Sequence, residues 1–251
     1  MCDPSPPRGQ GWRGWMSLPP PRIGSPAGPW IDLSHPFSPD MPRVPVFRPL
    51  HLERLKCLPA DPLNVTAFSM VVHTGTHLDA PFHFYNDGPA FDAIPLERLH
   101  GGGVVWRLDL PPDSLIEPDH LAAARPLLQP GDILALDTGW SERVGTESYD
   151  RHPCLSEAAA EWLVARRPKL LACDFATPDL PVGRRPAGEF DYPIHRRLLR
   201  DGVLICEHLR SPRALAGGRV EFVFGALSLV GADGAPARVL ARRVEPGSVI
   251  A

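Results

Sequence analysis

The chain has 251 residues, 43% of them hydrophobic and 22% charged, long enough to bury a sizeable core without disulfide staples. Its 26 basic and 29 acidic residues nearly cancel to a formal charge of −3, so no basic field draws it to nucleic acid or to an anionic membrane. Gly, Pro, Arg or Asp interrupts every apolar run before the roughly 20 residues that a bilayer span requires.

Residues 1–29 carry eight prolines and five glycines and show neither helical nor strand periodicity. They read as a disordered tail in which Trp12 and Trp15 are the side chains able to dock, and 30–251 read as a single domain. Within it, 30–34 reads as a short strand, followed by a proline-rich loop through Pro49. Residues 64–73, rich in Val, Thr, Phe and Met, and residues 103–110 have strand composition. Strand and helix then alternate. Strand 132–137 precedes a helix opened by the cap Ser156 and running over 157–166, and strand 170–174 precedes a helix over 194–200. Strand 203–207 follows, and strands 220–229 and 238–243 close the chain around the turn Gly231-Ala-Asp-Gly234. This order predicts an α/β fold with a mixed sheet or barrel.

Cys2, Cys57, Cys154, Cys173 and Cys206 are odd in number, far apart and include no Cys-x-x-Cys pair. The pattern fits a reducing cytoplasm and offers no thiol cluster for a metal.

The chemistry concentrates in His73-Thr-Gly-Thr-His-Leu-Asp-Ala-Pro-Phe-His83, with three histidines and a carboxylate in eleven residues. His73, His77, Asp79 and His83 all fall on odd positions and share a face of an extended chain. Gly75 and Pro81 oppose a helix. Full extension would hold the first two imidazoles about 13 Å apart at roughly 3.3 Å per residue, whereas bonds to one metal are near 2 Å, so the backbone must bend. Gly75, free to take positive φ, is the expected bend. Two histidines and one carboxylate leave positions open for water, as metal-assisted hydrolysis needs. His195, at a helix start, and Glu207, at the end of the next strand, form a second pair that a helix-to-strand reversal could bring together. Cys206 alternates away from Glu207 and reads as a packed thiol.

The eleven-residue stretch resembles the signature His-x-Gly-Thr-His-x-Asp-x-Pro-x-His of the cyclase family of metal-dependent hydrolases, which includes bacterial kynurenine formamidases and isatin hydrolases. Asp32-Leu-Ser34, Thr138-Gly-Trp140, residues 174–181 and the His195 and Glu207 pair extend the resemblance from Trp30 to the end. It implies a β/α/β fold with a mixed sheet or barrel-like core and a divalent-metal site, binuclear Zn2+ or, alternatively, Mn2+. His73, His77 and Asp79 would hold the first metal, and Asp79, His195 and Glu207 the second. His83 would be the catalytic proton-transfer residue. The implied activity is hydrolysis of an aryl formamide or cyclic amide C–N bond in a small-molecule substrate, the rival being a biosynthetic cyclase that polarises a carbonyl for ring closure. Formamidases of the family place a substrate-contacting Trp where this chain has Val44, so Val44 and Phe47 are the candidate substrate contacts. A homo-oligomer, dimer or tetramer, is also implied. His208 stands where the family often has Asn.

Overall fold

The computed structural model describes residues 11–20 and 24–245. The chain opens with β1 (Ile31–Asp32), β2 (His51–Lys56), β3 (Val65–Ser69) and β4 (His77–Asp79). Then come β5 (His100–Arg107), β6 (Leu115–Ile116), α1 (Pro118–Ala123) and β7 (Ile133–Asp137). β8 (Cys154–Leu155), α2 (Glu157–Arg166), β9 (Leu170–Cys173), α3 (Pro193–Arg200) and β10 (Leu204–Glu207) alternate strand and helix, and β11 (Arg219–Ala226) and β12 (Gly234–Arg243) end the fold.

Seven strands, in the order β4–β12–β11–β5–β7–β9–β10, close back on β4, and β1 joins outside on β12. The pairs β5–β7, β7–β9 and β9–β10 are parallel and the others antiparallel, which makes a mixed barrel without a free edge in its wall. Continuous apolar runs on the parallel strands follow from burial on both faces. Val105, Ile133, Ala135, Leu170 and Leu204 point into the barrel. Their neighbours Val104, Leu134, Leu136, Leu171 and Ile205 pack outward against Leu163 of α2 and Leu198 and Leu199 of α3.

Register assembles the site. On β4 and β10, His77 lies opposite Glu207, and Asp79 opposite Ile205. On the other side of β4, β12 sets Gly234 opposite Asp79 and Pro236 opposite His77.

Several boundaries differ from the sequence expectation. Strand 30–34 shrinks to Ile31–Asp32, and Ser34 makes only an isolated bridge to Leu209. The expected strand 64–73 is Val65–Ser69, and it pairs with β2, a strand the sequence did not announce, in a separate ribbon outside the barrel. All six β2 residues are exposed, so no buried face imposed an apolar alternation that could be read. β12 begins at Gly234, because pairing with β4 extends it into the expected turn.

The N-terminal segment also departs from expectation. Residues 1–10 and 21–23 lie outside the described residues, but 11–20 run along the body. Arg13 N–H donates to the Arg200 carbonyl at 3.0 Å, and Trp12 and Trp15 meet edge to face at 5.4 Å. The Arg98 guanidinium lies 4.8 Å from the Trp15 ring centroid and donates to the carbonyls of Met16 and Gly202. Aromatic burial and a cation–π contact hold a segment whose proline content denies it periodicity.

Candidate metal centre

The bend expected at Gly75 is present, with φ +64. Its N–H donates to the Pro42 carbonyl at 2.7 Å, and its own carbonyl accepts from His77 Nδ1 at 2.8 Å. That bond puts the proton of a neutral His77 on Nδ1 and turns the lone pair of Nε2 toward Asp79 and Glu207.

Asp79 is the hub. Its Oδ1 lies 2.8 Å from His73 Nδ1 and 3.4 Å from His77 Nε2, and its Oδ2 lies 3.4 Å from His195 Nε2. Glu207 sets Oε1 3.0 Å from His195 Nε2 and Oε2 3.6 Å from His77 Nε2. All five candidate ligands are buried, and all five come together.

His195 is aimed from behind. Asp179 accepts the backbone N–H groups of Ile194 at 2.9 Å and His195 at 3.0 Å, capping α3, and its Oδ2 sits 2.5 Å from His195 Nδ1. The carboxylate fixes the ring so that Nε2 faces the centre. His83 is placed differently. One quarter exposed, it stacks on His73 at 3.9 Å between centroids, and its Nδ1 lies 3.1 Å from Asp233 Oδ2, an atom that also lies 2.8 Å from His73 Nε2.

Sequence reasoning missed Asp179 as a partner of His195, although it lies inside the matched 174–181 segment. It missed Asp233 altogether, reading only a turn. The backbone carbonyl of Asp233 accepts from Ala80 N–H, tying the turn to the signature strand. Gly234 beside it leaves no room for a side chain, since a Cβ would stand 2.8 Å from His73 Cε1 and 2.7 Å from the Leu78 carbonyl. Val44 and Phe47 are half-buried in a turn closed by Phe47 N–H to the Val44 carbonyl. The bridge from Arg43 to Thr74 hangs that turn on the segment carrying His73.

Three groups present ligand atoms within 4.8 Å of one another: His73, Asp79 and His83; His77, Glu207 and His208; and Asp79, His195 and Glu207. His77 Nε2, Asp79 Oδ2 and Glu207 Oε1 are sealed from solvent with no hydrogen-bond partner among the described residues. Orphaned acceptors converging in one buried place are costly unless a cation satisfies them. The donors are imidazole and carboxylate without thiolate, a set that suits zinc or manganese. Protons fill that role otherwise. Burial opposes the His73 imidazolium, but the Asp233 and Asp79 carboxylates outweigh it and push the ring up to about 10. Burial likewise opposes the His195 cation, and Asp179, Asp79 and Glu207 raise it well above the ordinary range. A divalent cation competes with those protons.

A family model described as a putative cyclase matches residues 31–180. The chain belongs to that family. Among curated relatives of this cyclase-family chain, the kynurenine formamidase of Bordetella petrii is 31% identical over 221 residues, covering 85% of this chain and 97% of its own. That of Polaromonas naphthalenivorans is 29% identical over 187 residues, covering 74% and 78%. Among solved structures, a potential metal-dependent hydrolase with cyclase activity is 30% identical, with a TM-score of 0.70 over 87% of this chain and 99% of its own. Isatin hydrolase A from Ralstonia solanacearum is 26% identical, with a TM-score of 0.75 over 86% and 92%. No helix among the described residues is long and apolar enough to cross a membrane.

Proposed function

We propose that this chain is a metal-dependent hydrolase that cleaves the C–N bond of a small aryl formamide or cyclic aryl amide. The observation that carries the reading is the convergence of three sealed ligand atoms that make no hydrogen bond, on His77, Asp79 and Glu207, in a family whose curated relatives include kynurenine formamidases. His73, His77 and Asp79 would hold one cation, and Asp79, His195 and Glu207 would hold a second, zinc in preference to manganese. A cation bound there supplies a Lewis acid that acidifies water to a pKa near 7 and polarises a carbonyl.

The chain's own residues do the rest. Asp233 accepts from His83 Nδ1, which leaves Nε2 as the basic nitrogen. That nitrogen can take a proton from the attacking water and return it to the departing nitrogen. Its partial exposure gives it a path to substrate that the sealed ligands lack. The half-buried turn with Val44 and Phe47 forms part of the substrate wall. Because Val contributes no ring to stack on, N-formylkynurenine is a poorer substrate than for a Trp-bearing relative, by about 0.5–1.5 kcal/mol of lost stacking. Solution as a homo-oligomer in the cytoplasm accompanies this reading.

The test loads purified protein with Zn2+ or Mn2+, counts bound metal, and follows N-formylkynurenine and isatin by mass spectrometry. Gain of one water per turnover supports hydrolysis. A product lighter by one water, from a precursor able to close a ring, transfers the assignment to the cyclase chemistry. Full metal content in both His77→Ala and Asp79→Ala removes the proposed site.

A further inference from the structure

His208 is the third member of one ligand-distance group, yet the structure gives it a partner that a metal ligand does not usually have. It follows Glu207 directly and holds φ +57, a left-handed conformation that turns the chain sharply after β10. Thr76, next to His77, locks this turn by donating its hydroxyl to the His208 carbonyl at 2.7 Å. The His208 ring lies 5.9 Å from the His77 ring and stacks on Tyr149 at 5.8 Å with an interplanar angle of 23°. Its Nδ1 lies 2.6 Å from the Tyr149 hydroxyl oxygen. Tyr149 is in turn held by Trp140, whose indole N–H donates to the Tyr149 carbonyl at 3.2 Å.

A phenol needs an acceptor for its proton, and His208 Nδ1 is the acceptor within reach among the described residues. Metal-bound histidines use their second nitrogen as a donor, to a carboxylate, carbonyl or water. Here the polarity is reversed. Tyr149 O–H donates to Nδ1, so the proton of a neutral imidazole resides on Nε2. No hydrogen bond joins Nε2 to a described residue, and the buried ring stands beside the His77 and Glu207 ligand atoms, within 4.8 Å of them.

We infer that His208 is not a metal ligand but a hydrogen-bond donor, fixed as the Nε2–H form by Tyr149, that meets the carbonyl oxygen of the amide under attack. The role rests on the hydrolase reading above. It sets two imidazoles at different edges of the ligand cluster: His83, against His73, moves protons, and His208, against His77, supports the oxygen that gains charge. A preorganised donor of this kind acts on turnover more than on substrate binding.

Two measurements test it. In zinc-loaded, 15N-histidine-labelled protein, long-range proton–nitrogen correlation is expected to show His208 as the Nε2–H tautomer, with Tyr149→Phe altering that state. A metal-bound Nε2 or an Nδ1–H tautomer in the wild type overturns the inference, whether or not the protein hydrolyses any amide. In kinetics on N-formylkynurenine or isatin, His208→Asn, which tolerates the left-handed backbone but cannot place a nitrogen at Nε2, is expected to lower kcat about 100-fold. KM should stay within about twofold and the absorption spectrum of the cobalt-loaded protein should not change. His208→Gln, whose amide reaches that position, should recover at least about tenfold of the loss. Unchanged kcat in His208→Asn, or a changed cobalt spectrum, refutes the donor role. Wild-type protein inactive on both substrates counts against the hydrolase reading, while the tautomer measurement still decides the state of His208.

Discussion

Replacing Asp179 by Asn separates the aiming of a ligand from ligation itself. The carboxylate is 1% exposed and carries three tasks, accepting Ile194 N–H at 2.9 Å and His195 N–H at 3.0 Å and facing His195 Nδ1 at 2.5 Å. Asparagine keeps the volume but offers a single acceptor oxygen, and its NH2 group confronts the remaining donors. One buried N–H left unpaired costs about 1–3 kcal/mol, and for a chain of this length each kcal/mol is worth about 2–4 °C, so the melting temperature of the metal-free protein should fall by roughly 5 °C. Metal affinity should fall further than helix capping alone would explain. Losing the carboxylate behind a ligating histidine typically costs 10- to 100-fold, about 1.4–2.7 kcal/mol. The assay is zinc competition against a chromophoric chelator, paired with thermal melts of metal-free and loaded protein. Zinc affinity within about twofold of wild type, alongside a lowered metal-free melting temperature, would show that Asp179 only caps α3 and that the aiming argument for His195 is mistaken.

Three further outcomes are expected. His83→Ala should lower turnover about 100- to 10,000-fold with bound metal unchanged, and loss of metal in this variant would make His83 a ligand. Deleting residues 1–16 should lower the melting temperature by several degrees, because Trp12, Trp15 and the Arg98 contacts go with it; an unchanged melt would show that the docked segment contributes nothing. The third concerns His152, fully buried on Phe175 and pushed down to about 4 by burial. The unfolded chain takes up that proton near 6.5 and the folded chain only near 4, so stability is complete above pH 6.5 and declines as pH falls toward 4. Urea unfolding at pH 7, 5.5 and 4.5 should give a shallower decline for His152→Gln than for wild type, and parallel declines would refute the assignment.

The signature segment carried its own local instructions. Alternation put His73, His77, Asp79 and His83 on one side of an extended chain, Gly75 marked the bend, and Pro81 excluded the helix that would have mimicked the same spacing. The strands at 132–137, 170–174 and 203–207 were legible as they alternated with helices, and Ser156 announced the start of α2, where its hydroxyl accepts Ala159 N–H at 3.1 Å. Those features act over a few residues, so the sequence displays them directly.

What lay beyond reading came from pairings across long stretches of chain. Asp233 reaches His73 and His83 from 160 and 150 residues away, because β12 happens to lie beside β4. The pairing of Tyr149 with His208 spans 59 residues and depends on where two loops meet. The ribbon of β2 and β3 has no buried face to leave a periodic trace, and the docked tryptophans sit in a segment whose prolines erase one. Residue types and short-range periodicity fix which side chains can bind a metal and how the chain bends locally. Closure of the barrel alone decides which distant carboxylates and hydroxyls stand behind them, since a strand's register and its neighbours are set by the summed packing of the whole core.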